Sequence, residues 1–535
     1  MRLKAALFAL LVLCATVSFA QYGGELRFCL RSDPKTFNPL MVDDDASETV
    51  RYLTGGVLVR VNRLTQQVQP ELATEWKMSN GGKTVRFKLR SGVRYSDGSA
   101  FSSTDVAYTI QKLMDPELHS STADAFRSGQ GNVRANVISP NVIDITFPAP
   151  VANLAALFDS VAILSSTSPK KEMAALGPFY VAEHKAGSYL LLNRNPNYWK
   201  KDAQGRQLPY VNSVRLEIEQ NPEVEALRFQ RGEIDLINAV SPTVFEKLSV
   251  TNAGLVRDAG PSTDTEQLWF NQVASAPIPT YKRAWFSSTA FRRAVSEAIN
   301  REDLARLVFR GHATAAVGNV PQSNRFWFNS SLQPHPYDAS ASLRFLQQDG
   351  FRFADGVLRD KNGNAVEFSI ITNAGNRSRE NMATMIQQDL KKIGIKLNVV
   401  TLDFNSLLER MTQTYNYEAC LLGTVNGDLD PSSQMTMWLS SGEEHIWNPK
   451  QKVAATPWEA AIDLQMRAQA SATDPLKRKA AWDRVQKIVW EQEPIIYLVN
   501  KDSLVAISPM VKNAQPSAFR PQTYWNVEQL GLARQ

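Results

Sequence analysis

Residues 84–90 alternate strictly: Val85, Phe87 and Leu89 are apolar, and Arg86, Lys88 and Arg90 stand between them. A period of two marks a strand with one buried face, so the basic side chains belong to its wet side and need no partner. Asp97-Gly98 then reads as a turn, because glycine tolerates positive φ and aspartate bonds its own backbone. Ser102-x-x-Asp105 is a capping signature, and Val106, Ile110, Leu113 and Met114 fall on one face of the helix it opens. Strand, turn and capped helix are predicted in that order.

Helical spacing returns in the second half. Phe291, Ala294, Val295, Ala298, Ile299, Leu304, Leu307 and Val308 recur at that spacing before Gly311, which predicts one core-facing helix. Met385, Ile386, Leu390 and Ile393 form a second stripe, Gly394 closes it, and 395–399 alternates as a strand. Helix, glycine cap and strand make an α/β unit. No internal repeat, low-complexity tract or Pro- or Ser-rich linker interrupts the chain.

The N-terminus changes the compartment. Arg2 and Lys4 precede an apolar run from Ala5 to Val17, and Ser18-Phe19-Ala20 is a small-x-small ending, which together read as a secretory signal removed after residue 20. Cys14 follows Leu13, where a lipid-anchoring site needs a small residue, so a cleaved signal is expected and a lipid anchor is the alternative. No later stretch has the ~20 apolar residues that a spanning helix needs. A soluble periplasmic protein is expected.

Charge removes another class. Losing Arg2 and Lys4 takes the formal charge from +6 to +4 over more than five hundred residues, with Lys and Arg dispersed among Asp and Glu. Such a balance offers no basic arm for nucleic acid. Cys29 and Cys420 lie far apart in separate apolar stretches, which favours two free thiols over one disulfide, and no Cys/His metal spacing exists. The length predicts two to four domains.

The residues around the opening strand carry a resemblance. "FKLRSGVRYSDGSAFSSTDVAYTIQKL" is similar to the signature of family 5 extracellular solute-binding proteins, the peptide and nickel binders of ABC importers. "GPFYVAEHKAGSYLLLNRNPNYW", "ALRFQRGEIDLI", "FRRAVSEAINREDLARLVFRGHATAA" and "ATMIQQDLKKIGIKLNVV" resemble further blocks in the family's order. The resemblance implies an α/β, two-lobe periplasmic-binding-protein fold (type II, cluster C) with an extra subdomain in lobe I. Carried onto this chain, lobe I takes 21–61, 178–262 and 500–535, its extra subdomain 62–177, and lobe II 263–499. The crossings fall near "DTEQLWFNQ" and "PIIYLVNKDSLVAI", and two crossings make a hinge.

The same resemblance implies a function: a monomeric substrate-binding component that closes on a peptide or similar polar, extended solute and presents it to membrane permease subunits. No cofactor or metal is implied. Ligand amines in peptide-binding relatives meet an Asp, and the matching loop here holds Asn426, Asp428 and the Asp430-Pro431 pair. Asp428 is the choice for the amine, although the family's place for it is occupied by Gly427; the alternative is that Asp428 and Asp430 build turns. Where dipeptide binders carry a cleft Arg, this chain has Asn373, with Arg377 and Arg379 nearby; Arg377 is the substitute bidentate partner for a carboxylate, with a solvated loop Arg as the alternative. Trp269 and Asn271 lie where the first interlobe strand passes the ligand, with a strand-end cap as the alternative for Asn271. Trp438, with His445 and Trp447, stands in a polar loop, suited to stacking on a ligand or to packing on lobe II.

Competing classes leave little trace. His119, His184, His312, His335 and His445 form no HxxxH or HxxH pair, and no G-x-S-x-G, Walker or G-x-G-x-x-G motif occurs. A non-enzyme is expected. Uptake of a nickel complex or haem is the nearer alternative, and an exported hydrolase the more distant one.

Overall fold

Two strands of this chain are much longer than the rest. Val256–Phe270 has 15 residues and Ile495–Ile507 has 13, where about five or six is usual. They pair antiparallel, with Val256 opposite Ala506 at one end and Trp269 opposite Ile495 at the other. Register slips between Asp258 and Pro261, between Pro261 and Thr265, and between Glu266 and Gln267. Proline cannot donate to the ladder, and bulges of this kind bend and twist the strand that carries them.

The computed structural model describes residues 22–118, 120–126, 132–151, 156–169, 173–425 and 429–533. The signal reading over 1–20, with Cys14, lies outside the described residues, as does His119.

The long ribbon forms the middle of an 11-stranded sheet. On one flank Ala419–Val425, Glu367–Asn373 and Lys396–Leu402 continue it; on the other come Leu236–Ile237, Glu25–Leu30, Ser213–Ile218, Tyr189–Arg194 and Phe179–Lys185. A separate four-stranded sheet runs Ala73–Ser79, Thr84–Leu89, Val142–Thr146, Arg134–Ser139. The first flank is covered on both faces. Leu268, Phe270, Phe368 and Leu421 pack with Phe291 and Ile386 on one side, and Trp269, Ile371, Cys420 and Tyr497 pack with Trp438, Trp447 and Trp482 on the other. The second flank has its own core around Phe28, Leu192, Leu216 and Tyr524. The small sheet gathers Val85, Phe87, Ile143 and Phe158 against Val106 and Ile110.

The opening strand has the expected faces. Val85, Phe87 and Leu89 are buried and Arg86 and Lys88 exposed. Arg86 donates from Nε and Nη2 to the two oxygens of Asp144, each at 2.7 Å, and Lys88 lies 3.2 Å from Glu75. Exposed pairs like these contribute only about 0–1 kcal/mol, so the strip is solubilising. Ser102 caps the helix Ser103–Leu113, and Asp105 Oδ2 accepts from the Ser102 backbone NH at 2.8 Å, completing the capping box.

The single helix expected over 291–308 is broken. The helix Thr289–Ala298 ends at Ile299, Asn300 caps a new turn by accepting from Asp303 NH at 3.1 Å, and Leu304–Val308 is wound more loosely. Leu307 consequently faces solvent. The second stripe holds together as Arg377–Lys392. Gly394 then adopts φ +76°, where an added Cβ would meet Leu358 N and the Phe353 ring at 2.6 Å, and Lys396–Leu402 follows as a strand. Cys29 and Cys420 are both free thiols, and burial pushes the Cys29 thiol up to about 12.

Candidate functional site

The halves of the molecule meet beyond the ribbon. Gln66 Nε2 donates to the Ser323 carbonyl at 2.6 Å, and the Ser323 hydroxyl donates to the Pro261 carbonyl on the long strand. Near Gly82 the chain approaches Thr473 so closely that a Cβ on Gly82 would lie 2.5 Å from Thr473 Cγ2. Segments around 66 and 82 thus touch segments around 323 and 473, and the ribbon passes between them.

On the ribbon, Glu266 is buried yet charged. Arg379 Nε lies 2.8 Å from Glu266 Oε2 and Nη2 3.3 Å from Oε1, while Lys501 Nζ reaches Oε1 at 3.2 Å. Arg379 Nη1 also donates to Asn373 Oδ1 at 2.8 Å. The cluster draws on both long strands, on Glu367–Asn373 and on the first turn of Arg377–Lys392. Two cations share this one carboxylate, so cationic donors stand on the ribbon at the junction.

The sequence-selected loop sits next to it. Val425, the last residue of Ala419–Val425, stands opposite Asp264 of the ribbon. Asp430 is held by Arg478 through a buried fork of 2.9 and 2.6 Å, and it caps Pro431–Gln434 by accepting from Ser432 NH at 2.9 Å. Asn426 and Asp428 lie between these anchors, outside the described residues. Asp430 itself is a turn-building and ion-paired residue.

Arg520 was not singled out by the sequence. Its Nη1 lies 3.4 Å from Asp45, and its Nη2 3.6 Å from Asp264. Its Nε is buried without a hydrogen-bond partner. These contacts are long for a guanidinium, whose charge-assisted bonds usually close to about 2.7–2.9 Å. Nothing periodic marks it in the sequence; it stands alone between Phe519 and Pro521.

The other selected residues separate into two groups. Asn373 is half-buried beside Arg379, and Arg377 is exposed at the first helical position. Trp269, Asn271 and Trp438 are inside the fold. Trp269 Nε1 lies 3.3 Å from the Tyr417 hydroxyl, and Asn271 spends its amide on the carbonyls of Tyr415 and Tyr417 and on Val273 NH. That is the strand-end cap. Trp438 donates to Gln434 at 3.0 Å and packs on Trp447 and Trp482. His445 and Trp447 are fully buried too, both bonded to Glu459 at 3.2 and 3.0 Å. The loop is polar in sequence because its polar atoms satisfy this buried carboxylate. Burial acts to raise the Glu459 carboxyl, but bonds from His445, Gln451, Thr456 and Trp447 outweigh it and hold it at about 2.

A small recess opens elsewhere, lined by Tyr52, Arg60, Glu71, Trp199 and Glu528. Its charges answer one another: Lys200 reaches Glu71 at 2.8 Å and Glu528 at 2.6 Å. Burial raises the Glu71 carboxyl, whereas at Glu528 the same burial is outweighed by Lys200. A self-neutralised recess is a poor receptor compared with the junction.

Charged groups thus gather on the long strand pair, where segments distant in sequence meet. The profile of the Bacterial extracellular solute-binding proteins, family 5 Middle, matches residues 67–445. The chain belongs to this family. Across the family 5 proteins, a probable ABC transporter-binding protein of Deinococcus radiodurans is 26% identical, covering 89% of this chain and 87% of its own length. The oligopeptide-binding protein AppA of Bacillus subtilis is 23% identical over 96% of this chain and 92% of its own. NikA from Brucella suis, solved in complex with Fe(III)-EDTA, superposes with a TM-score of 0.80 at 21% identity, covering 95% of this chain and all of NikA. The fold is accordingly the two-lobe architecture of family 5, and the chain is a solute-binding component of an ABC importer. Family 5 members are extracytoplasmic transport proteins, and among the described residues no helix is long and apolar enough to cross a membrane.

Proposed function

We propose that this protein captures a peptide, or a similarly polar and extended solute, between its lobes and delivers it unaltered to a membrane permease. The single observation that carries the reading is the paired ribbon of Val256–Phe270 and Ile495–Ile507, broken in register around Pro261, with charged groups on it where the halves touch. A long strand pair with local bulges bends where the ladder is weakest, and bending there opens or shuts the junction. Lobe I comprises 21–61, 178–262 and 500–535 with its subdomain 62–177, and lobe II comprises 263–499; the separate cores support this division.

Ligand contacts follow from the chemistry of the junction. Asp428, with Asn426 beside it, takes a ligand ammonium. Arg377 and Arg520 take the opposite end, since Arg379 is committed to Glu266 and Asn373. Trp269, Asn271 and Trp438 act through packing behind the site. The protein works as a monomer, after removal of residues 1–20, in the periplasm, and it has no catalytic residues.

A metal chelate, as held by NikA, is the second reading. The cationic donors around Glu266 favour an anionic chelate, but the described histidines are all engaged with other carboxylates: with Asp33, with Glu246 and Asp258, with Glu493, and with Glu459. Mass spectrometry of the solute released from gently purified protein tests both. A peptide-like zwitterion is expected; a metal chelate would transfer the reading to the second class, and a chemically transformed solute would end both.

A further inference from the structure

Next along the ribbon from the Glu266 cluster, His312 stands among carboxylates. Its Nε2 lies 2.9 Å from Glu246 Oε1 and its Nδ1 3.1 Å from Asp258 Oδ2. Asp502, on the other long strand, joins them: Asp258, His312 and Asp502 each offer a ligand atom, and the three atoms lie within 4.8 Å of one another. Phe245 packs on the imidazole with ring centroids 4.5 Å apart, and Asp502 NH donates to the His312 carbonyl at 3.1 Å.

The arrangement is incomplete as a set of hydrogen bonds. A doubly protonated imidazole bonds Glu246 and Asp258, while Asp502 Oδ1 is buried without a hydrogen-bond partner. A singly protonated imidazole that donates Nε2–H to Glu246 turns the Nδ1 lone pair toward Asp258 and Asp502. Three lone-pair donors then converge, with an outer carboxylate fixing the tautomer, which is how metal-bound histidines are oriented. Ligand atoms about 2.0 Å from a tetrahedral zinc stand about 3.3 Å apart, close to the separation of His312 and Asp258.

We propose that Asp258, His312 and Asp502 form a binding site for a divalent transition metal of the zinc class, with Glu246 orienting the imidazole. One nitrogen and two carboxylates suit zinc better than the harder calcium or magnesium, which prefer all-oxygen shells. The site joins the helix Pro242–Thr251, both long strands and the residue preceding Ala313–Ala315, so a bound ion ties together chain from either side of the ribbon. It borders the solute junction, since Asp502 follows Lys501 and stands opposite Pro261, but its three residues are not those that hold Glu266.

The test is calorimetric titration of the untagged, chelator-stripped protein with zinc chloride. One saturable equivalent is expected. His312→Ala and Asp502→Asn should abolish it, Glu246→Gln should weaken it about 10-fold or more, and His184→Ala, which alters a surface pair with Asp33 and a ring contact with Phe37, should leave it unchanged. Far-UV circular dichroism of each metal-free variant checks folding. If His312→Ala does not fold, Asp258→Asn decides, because that partly exposed carboxylate can be altered without a change of size. Absence of a saturable equivalent, or binding that persists in Asp502→Asn and Asp258→Asn as an adventitious ion only, overturns the proposal.

Discussion

Gln66 and Ser323, 257 positions apart, are joined by a 2.6 Å hydrogen bond from side-chain amide to backbone carbonyl. The same serine holds Pro261, where the ribbon loses register. If the halves part as proposed, this bond is lost. Gln66→Ala should therefore weaken solute binding by roughly 5-fold, the equivalent of about 1 kcal/mol for one neutral bond. Calorimetry against the co-purified solute measures it, with the unfolding midpoint unchanged.

Glu266 makes the opposite kind of contribution. Its carboxylate is shared by Arg379 and Lys501 inside the fold, and removing one partner of a buried ion group typically costs about 3–5 kcal/mol. Glu266→Gln should lower the urea midpoint by that order. A midpoint equal to the parent's would show that the cluster is solvated and carries no such load.

Asp428 is the ligand-amine contact in this account. A charge-assisted bond contributes about 1.5–3 kcal/mol, so Asp428→Asn should weaken a free peptide by about 10- to 100-fold. An N-acetylated peptide should lose little, and stability should not change. Equal losses for both peptides would mean that Asp428 shapes the loop.

Acid should act through Glu459. Its folded-state carboxyl is held at about 2, below the ordinary 4.5, so the group stabilises the fold above the unfolded value and that contribution disappears as pH falls from about 4.5 toward 2. Glu459→Gln removes the effect. Urea midpoints of parent and variant should differ at pH 6 and converge near pH 2.5; a constant difference would contradict the assignment.

How much of this was readable in advance depended on where each residue's partners lie. Val85, Phe87 and Leu89 betrayed their strand because only one of its faces is buried. Trp269 and Phe270 could not be assigned a face by alternation, since the sheet there is covered on both sides. The break at Ile299 was present as Asn300 ahead of Glu302 and Asp303, but the apolar spacing ran on through it. Trp438, His445 and Trp447 looked like an exposed loop because the carboxylate they enclose, Glu459, belongs to the next helix. The junction was the least readable part: Arg379 and Lys501 stand 113 and 235 positions from Glu266, and Arg520 has no periodic neighbour to mark it.

The central claim is that the halves shut on a solute about the ribbon. Small-angle scattering from the solute-free protein and from the same sample reloaded with its co-purified solute tests it most directly. A smaller radius of gyration on reloading, reversed by dialysis with the solute recovered intact, is the predicted result. Superimposable profiles at saturating solute would contradict it.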